Sequence, residues 1–352
     1  MDFSEINEQL QILLNCADMK KNDINLFMIA SIKDTTQSSM DYKRHSVTTS
    51  YLSRQTLDEL LISCRKYSNY LQVYTDVEEF LMDYYNDNFR VRPTLIFETS
   101  PKGTGRGKDA LIPALCDIWK IPHLGPTASA NTICSSKYQW TSILKENGLS
   151  VPDSYFFHAG KWIKEPPIGI KYILKLNYEC ASIGLFADSV LINDGKNITR
   201  KALELSKEFN QPIIAQKYIE GYEVEVPILS NHNKSIVLPP IGLSVGTQKY
   251  YTKEFFDYDV IYTDDYSFYS FCDINEKGAQ MLIANAYKII DCLDLNGYMR
   301  IDFRIDSSGN FFVFDINNDP CISKCGSFHK SIEVSGFHEE DIVGIIIGNA
   351  LI

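Results

Sequence analysis

Residues 298–317 constrain the fold more than any other stretch of the chain. Tyr298–Ile305 and Phe311–Asn317 both alternate apolar and polar side chains, and Asp306-Ser307-Ser308-Gly309-Asn310 between them is turn chemistry. The pattern predicts an antiparallel hairpin whose turn centres on Ser308-Gly309. In that register Asp302 faces Asp315 and Arg300 faces Asn317. On the other face Ile301, Phe303 and Ile305 oppose Ile316, Phe314 and Phe312. Directly opposed like charges destabilise a sheet unless something lies between them. Asp302, Asp315 and Asn317 offer only hard oxygens, which suits Mg²⁺ or Mn²⁺ rather than zinc. A hairpin with one wet face and merely solvated acids is the other reading.

The remaining periodicity is that of a mixed α/β (α+β) chain. Strand runs at Leu26–Ala30, Tyr70–Thr75 and Thr94–Thr99 alternate with helical patterns at 3–16, Thr56–Arg65, Val77–Tyr85 and Asp109–Trp119. A helix is predicted over Thr132–Glu146, with Gly148 as its stop. Strands at Lys171–Leu176 and Ser182–Phe186, a helix at Thr199–Phe209 and a strand at Ile213–Tyr218 follow. Beyond them come Glu223–Leu229, a long loop over 242–272, a helix at 275–293, the hairpin and a buried helix at 339–351. The 352 residues suggest two to three domains. Boundaries near 126 and 222 divide the chain into 1–126, 127–222 and 223–352.

Composition narrows the class. Hydrophobic residues at 45% suffice for a sizeable core. A net charge of -11 argues against a nucleic-acid partner, which needs clustered Lys and Arg. No apolar run approaches the ~20 residues of a membrane span, and the acidic start lacks a basic leader. The nine cysteines are odd in number and scattered, as expected of reduced thiols in a cytoplasmic protein. Cys321, Cys325 and His329 fit no common zinc spacing.

Two further segments carry candidate chemistry. Lys175 ends the apolar run Tyr172-Ile173-Leu174, where an ammonium is costly unless it meets an anion. Lys102-Gly103-Thr104-Gly105-Arg106-Gly107-Lys108-Asp109 joins a strand to a helix and is neither a Walker A loop nor a dinucleotide fingerprint. It reads equally as an anion-binding loop and as a surface loop.

In order and spacing these pieces resemble the ATP-grasp superfamily, and within it the D-alanine–D-alanine ligases, from about residue 91 to the C-terminus. Lys175, Glu179, Ser182 and Gly184 look like the family's phosphate-loop segment, and Lys137 like its first ATP lysine. Gln216-Lys217-Tyr218-Ile219 is similar to the adenine hinge, with Glu223 on the ribose. Arg300-Ile301-Asp302-Phe303 and Asp315-Ile316-Asn317 resemble the two metal strands.

The resemblance implies an ATP-grasp fold of three domains, with ATP held between the central and C-terminal ones. It implies ATP and Mg²⁺ (or Mn²⁺) as cofactors, amino-acid-like small molecules as substrates and a possible homodimer. Asp302, Asp315 and Asn317 would hold metal, and Arg300 would be catalytic. Arg106, Tyr258 and Ser327 would meet substrate. Phe256–Tyr262 resembles the mobile closing loop, with Ile261 where these ligases carry lysine; Lys249 and Lys253 are candidates to take its place. Gln216 replaces the usual hinge acid, Asp315 replaces Glu, Cys180-Ala181 replaces Gly-Ser and Cys321 replaces Gly. The expected activity is ATP-dependent ligation of a carboxylate to an amine through an acyl phosphate. The alternatives are a degenerate nucleotide-binding module with a regulatory role, or a ligase for an L-amino acid, peptide or specialised metabolite.

Overall fold

The computed structural model describes residues 3–33, 35, 41–252 and 266–352. Among the described residues, three sheets organise the chain. The first is parallel, with strands β1 (Asn25–Ala30), β2 (Tyr70–Tyr74) and β3 (Leu95–Thr99) in the order β2-β1-β3. Helices Ser4–Lys20, Arg54–Lys66, Val77–Asn86 and Leu111–Trp119 accompany it. Strand–helix alternation produces this layer because parallel neighbours need a crossover between them.

The second sheet is antiparallel. It is built from β4 (Ser154–His158), β5 (Lys161–Trp162), β6 (Lys171–Leu176), β7 (Val190–Ile192) and β8 (Ile213–Lys217), in the order β5-β4-β8-β6-β7. Helix Asn197–Phe209 buries Ile198, Ala202, Leu205 and Phe209 in the same core as Tyr172, Leu174 and Leu176. The alternation along β6 thus sends Tyr172 and Leu174 to the core and leaves Ile173 and Lys175 on the opposite face.

The third sheet carries β9 (Gly221–Ser230), β10 (Ser235–Val237), β11 (Ile241–Val245), β12 (Tyr250–Tyr251), β13 (Tyr266–Ser270), β14 (Gly297–Ile305) and β15 (Phe311–Asn317). Its path is β13-β11-β9-β14-β15, with β10 and β12 also on β9. Helix Glu276–Leu293 covers its apolar face through Ala279, Leu282, Ala286, Ile289 and Ile290. Among the described residues no helix is long and apolar enough to cross a membrane.

Three sequence expectations change here, and one helix was not expected. The helix predicted over Thr132–Glu146 is two helices, Ala128–Cys134 and Lys137–Glu146. Asn177 causes the break: its carbonyl accepts from the Lys137 N–H and its side-chain oxygen from the Tyr138 N–H, capping the second helix from outside. The stretch Ser182–Phe186 is not a strand, because Ala181 and Ser182 are left-handed in succession (φ 50° and 52°) and turn the chain. The described parts of 242–272 contain β11, β12 and β13 rather than a loop. Helix Ser327–Val334 carries no prediction at all.

The hairpin holds the predicted pairs Arg300–Asn317, Ile301–Ile316 and Asp302–Asp315. The register then slips: Phe303 pairs with Val313 and Ile305 with Phe311, so Phe314 is the extra residue of a β-bulge. Val313 and Phe311 therefore join the core side, and Phe314 does not.

The C-terminal helix Ile342–Leu351 packs into the core of the first sheet, against helix Ser4–Lys20. The two backbones touch at Gly348, where a Cβ would lie 2.0 Å from the Leu13 carbonyl oxygen. Gly348→Ala forces the helices apart and should cost about 1–3 kcal/mol of stability. A urea midpoint equal to that of the wild type would show the contact to be dispensable.

Candidate active site

The second and third sheets face each other across a cavity of about 440 Å³. The second sheet brings Lys175 and Gln216 to it, and the turn after β6 brings Glu179 and Ser182. Lys137, Lys217, Ile219 and Glu223 line it from neighbouring segments. The third sheet contributes Arg300, Asp302, Asp315 and Asn317. Arg106 and Ser327 do not line it. Arg106 is exposed, with its guanidinium 4.9 Å from the centre of the Tyr178 ring. Ser327 is buried against Glu225. Tyr258, Ile261, Lys253 and the proposed closing loop lie outside the described residues.

The lysines are held at the junction of the two sheets. Lys137, at the start of its helix, donates to the Glu179 carbonyl at 2.8 Å and sits 3.4 Å from the Asp315 carboxylate. Lys175 donates to the carbonyl of the bulge residue Phe314 at 3.2 Å, with its ammonium 4.8 Å from that residue's ring centre. The bulge thus supplies both an acceptor and a π face to a buried cation. Burial is the main cause that pushes Lys175 down to about 8.

Charge alternates along the floor of the cavity. β14 runs antiparallel to β9, pairing Asp302 with Glu225 and Arg304 with Glu223. Arg300 grips both Asp302 oxygens, at 2.7 and 2.8 Å, and reaches Glu225 at 3.0 Å. Arg304 donates to Glu223 at 2.7 Å and lies among the rings of Tyr218, Tyr251 and Phe314. Burial raises the pKa of Glu225 to about 8 against the pull of Arg300, and it raises that of Asp302 as well. Sequence reasoning missed Glu225 and Arg304. The signal was present, since Arg300, Asp302 and Arg304 share one face of a strand and Glu223 and Glu225 share one face of its neighbour.

Gln216 is buried, and neither atom of its carboxamide has a hydrogen-bond partner among the described residues. An orphaned amide facing a cavity is costly unless a ligand fills it. Glu179 is buried too and accepts from the Tyr42 hydroxyl at 2.5 Å and from Gln211 at 3.3 Å. The segment around Tyr42 reaches the turn after β6 again at His45, whose Nδ1 accepts from the Gly184 N–H at 2.9 Å.

Among the described residues no group of three or more His, Cys, Asp or Glu side chains is gathered around a metal position. Asp302, Asp315 and Asn317 nevertheless fit a hard divalent cation by donor chemistry. Two carboxylates and one amide oxygen line the cavity together, and Mg²⁺ held by one or two carboxylates completes its shell with substrate phosphates.

Residues 143–348 match the family described as D-ala D-ala ligase C-terminus. The chain belongs to that family. The D-alanine–D-alanine ligase of Thermoanaerobacter sp. (strain X514) is 26% identical over 240 residues, covering 65% of this chain. The match spans 64% of that relative's length. The ligase of Thermotoga petrophila is 27% identical over 247 residues, covering 70% of this chain and 77% of its own. In fold, the chain resembles the D-alanine–D-alanine ligase of Bacillus anthracis complexed with ATP, with a TM-score of 0.67 and 17% identity. That likeness covers 93% of this chain and 97% of the other. It also resembles the VanG D-Ala:D-Ser ligase of Enterococcus faecalis, with a TM-score of 0.66, 15% identity and 93% and 99% coverage. The fold shared with these family members is the ATP-grasp fold.

The depressed lysine gives a test. Between about pH 8 and the ordinary lysine range, the unfolded chain holds a proton on Lys175 that the folded chain has released. Stability on this account rises with pH through that window. Lys175→Met lacks the buried charge and does not gain. The difference in urea stability between this variant and the wild type should therefore shift in favour of the wild type from pH 7 to pH 10. Parallel pH profiles would contradict the assignment.

Proposed function

We propose that this chain is an ATP-dependent carboxylate–amine ligase of the D-alanine–D-alanine ligase type, acting on amino acids. One observation carries the reading. Two buried lysines from the central segment and an acid-rich strand pair from the C-terminal segment meet at one cavity in a chain of this family. The proposal keeps the three-part division 1–126, 127–222 and 223–352, with nucleotide between the second and third parts.

In this reading a substrate carboxylate oxygen attacks the γ-phosphorus of ATP. The bond to the bridging oxygen breaks and its electron pair leaves with ADP. The amine of a second substrate then attacks the acyl carbon, forming the C–N bond and releasing inorganic phosphate. Lys137 and Lys175 neutralise the phosphate chain, and their burial makes each charge count for more than it would in water. Arg300 stabilises the oxyanion of the tetrahedral intermediate. Gln216 and Ile219 lie against the base and Glu223 against the ribose. Asp302, Asp315 and Asn317 would hold a divalent cation, which would supply further neutralisation of the phosphates.

The test is incubation with Mg-ATP and pooled D- and L-amino acids, read by mass spectrometry for ADP and a new amide. Tight ATP binding with no amide from any pool would favour the nucleotide-binding module instead. Asp302→Asn keeps the shape and an acceptor for Arg300 but removes the charge. Its amino-acid-dependent ADP formation should fall by about 100-fold or more. Turnover like that of the wild type would exclude the role given to Asp302.

A further inference from the structure

The glycine-rich loop 102–109 reaches the cavity by a residue other than Arg106. Gly103 and Gly105 have positive φ, 101° and 91°, and fold the loop back after β3. Lys102 is tied to Asp76 at 2.9 Å and the Gly103 N–H to the Tyr51 hydroxyl at 3.0 Å. Lys108, which begins the short 3₁₀ turn Lys108–Ala110, lines the cavity with a side chain only 5% exposed. Its ammonium is 3.9 Å from the Glu179 carboxylate, too long for a hydrogen bond. The other buried cations of the cavity are each tied by a hydrogen bond: Lys137 to Glu179, Lys175 to Phe314, Arg300 to Asp302 and Arg304 to Glu223. Lys108 and Lys137 therefore meet at one residue, Glu179, and Lys137 in turn faces Asp315.

Burial works against charge on Lys108, but the Cys180 sulfur, Asp109 and Glu179 around it outweigh that and hold the ammonium above the usual lysine range. A buried and loosely held cation is suited to an anion that arrives and leaves.

We propose that Lys108 is a catalytic residue, donating hydrogen bonds to the non-bridging oxygens of the γ-phosphoryl group as it passes from ATP to the substrate carboxylate. This rests on the ligase reading above and adds to it a cation from the N-terminal segment. The Pγ–O bond to ADP breaks, the new O–P bond forms on the carboxylate, and Lys108 keeps its proton throughout. Charge spreads over the equatorial oxygens during the transfer, and a fixed ammonium stabilises it most at that point. The site then requires the first and second sheets to be closed on each other, because Lys108 follows one and Glu179 follows a strand of the other.

The test compares Lys108→Met and Lys108→Arg with the full-length wild type. Affinity is measured for ADP alone and for ADP with aluminium fluoride, a mimic of the transferred phosphoryl group, and kcat and KM for ATP are measured with an amino acid that supports turnover. Lys108→Met should keep ADP affinity within about threefold, lose the tightening that fluoroaluminate produces and lower kcat by about 100-fold. Lys108→Arg should recover part of both. Fluoroaluminate tightening equal to the wild type's in Lys108→Met overturns the proposal. So does an equal loss of affinity for ADP with and without fluoroaluminate, which marks a structural role. If Lys108→Met does not fold, as judged by its melting curve, Lys108→Gln takes its place with the same two outcomes. A wild type that binds no ADP would overturn the ligase reading itself, which separates the two failures.

Discussion

One extra residue in β15 decides what the cavity can hold. A hairpin without a bulge keeps every second side chain on one face from end to end. The slip at Phe314 lets Val313 and Phe311 face the core while Asp315 and Asn317 stay aligned with Asp302 and Arg300. The same residue turns its ring and carbonyl to Lys175. Without it, Phe314 would take the core place opposite Phe303 that Val313 holds, and Lys175 would lose that ring and acceptor.

The floor of the cavity is a compensated charge array. Glu223, Glu225, Asp302 and Arg304 are nearly inaccessible to water, and Arg300 is the cation between two of the acids. Taking such groups out of water costs several kcal/mol each, and only good mutual geometry offsets it. The array holds because β9 and β14 are antiparallel neighbours, so alternate residues of the two strands meet as acid and base. Burial raises the pKa of Glu225 and Asp302, the two acids that Arg300 bridges. Perturbed carboxylates gathered in a cavity are the expected physical signature of a working site.

Much of this was legible in the chain. The hairpin pairs at Asp302–Asp315 and Arg300–Asn317 follow from alternation and turn chemistry alone. The isolated Lys175 in an apolar strand is a local conflict, and such conflicts tend to mark sites. The bulge was not legible, because an inserted Phe in Phe311-Phe312-Val313-Phe314 reads the same in either register. The split at Ser135–Ser136 was not legible either, because its cause, Asn177, is remote in sequence. The turn at Ala181–Ser182 defies a local rule, since non-glycine residues seldom adopt positive φ.

By itself, the sequence determined most of the kinds of element and the family, because periodicity and side-chain type are properties of neighbours along the chain. Only the tertiary structure decided which cations reach the cavity. It turned Arg106 outward and Lys108 inward from one short loop, and it set Arg304 against Glu223 across two strands. The reason is distance along the chain. Burial of a charge is settled by partners tens of residues away, and no local pattern encodes where they will stand.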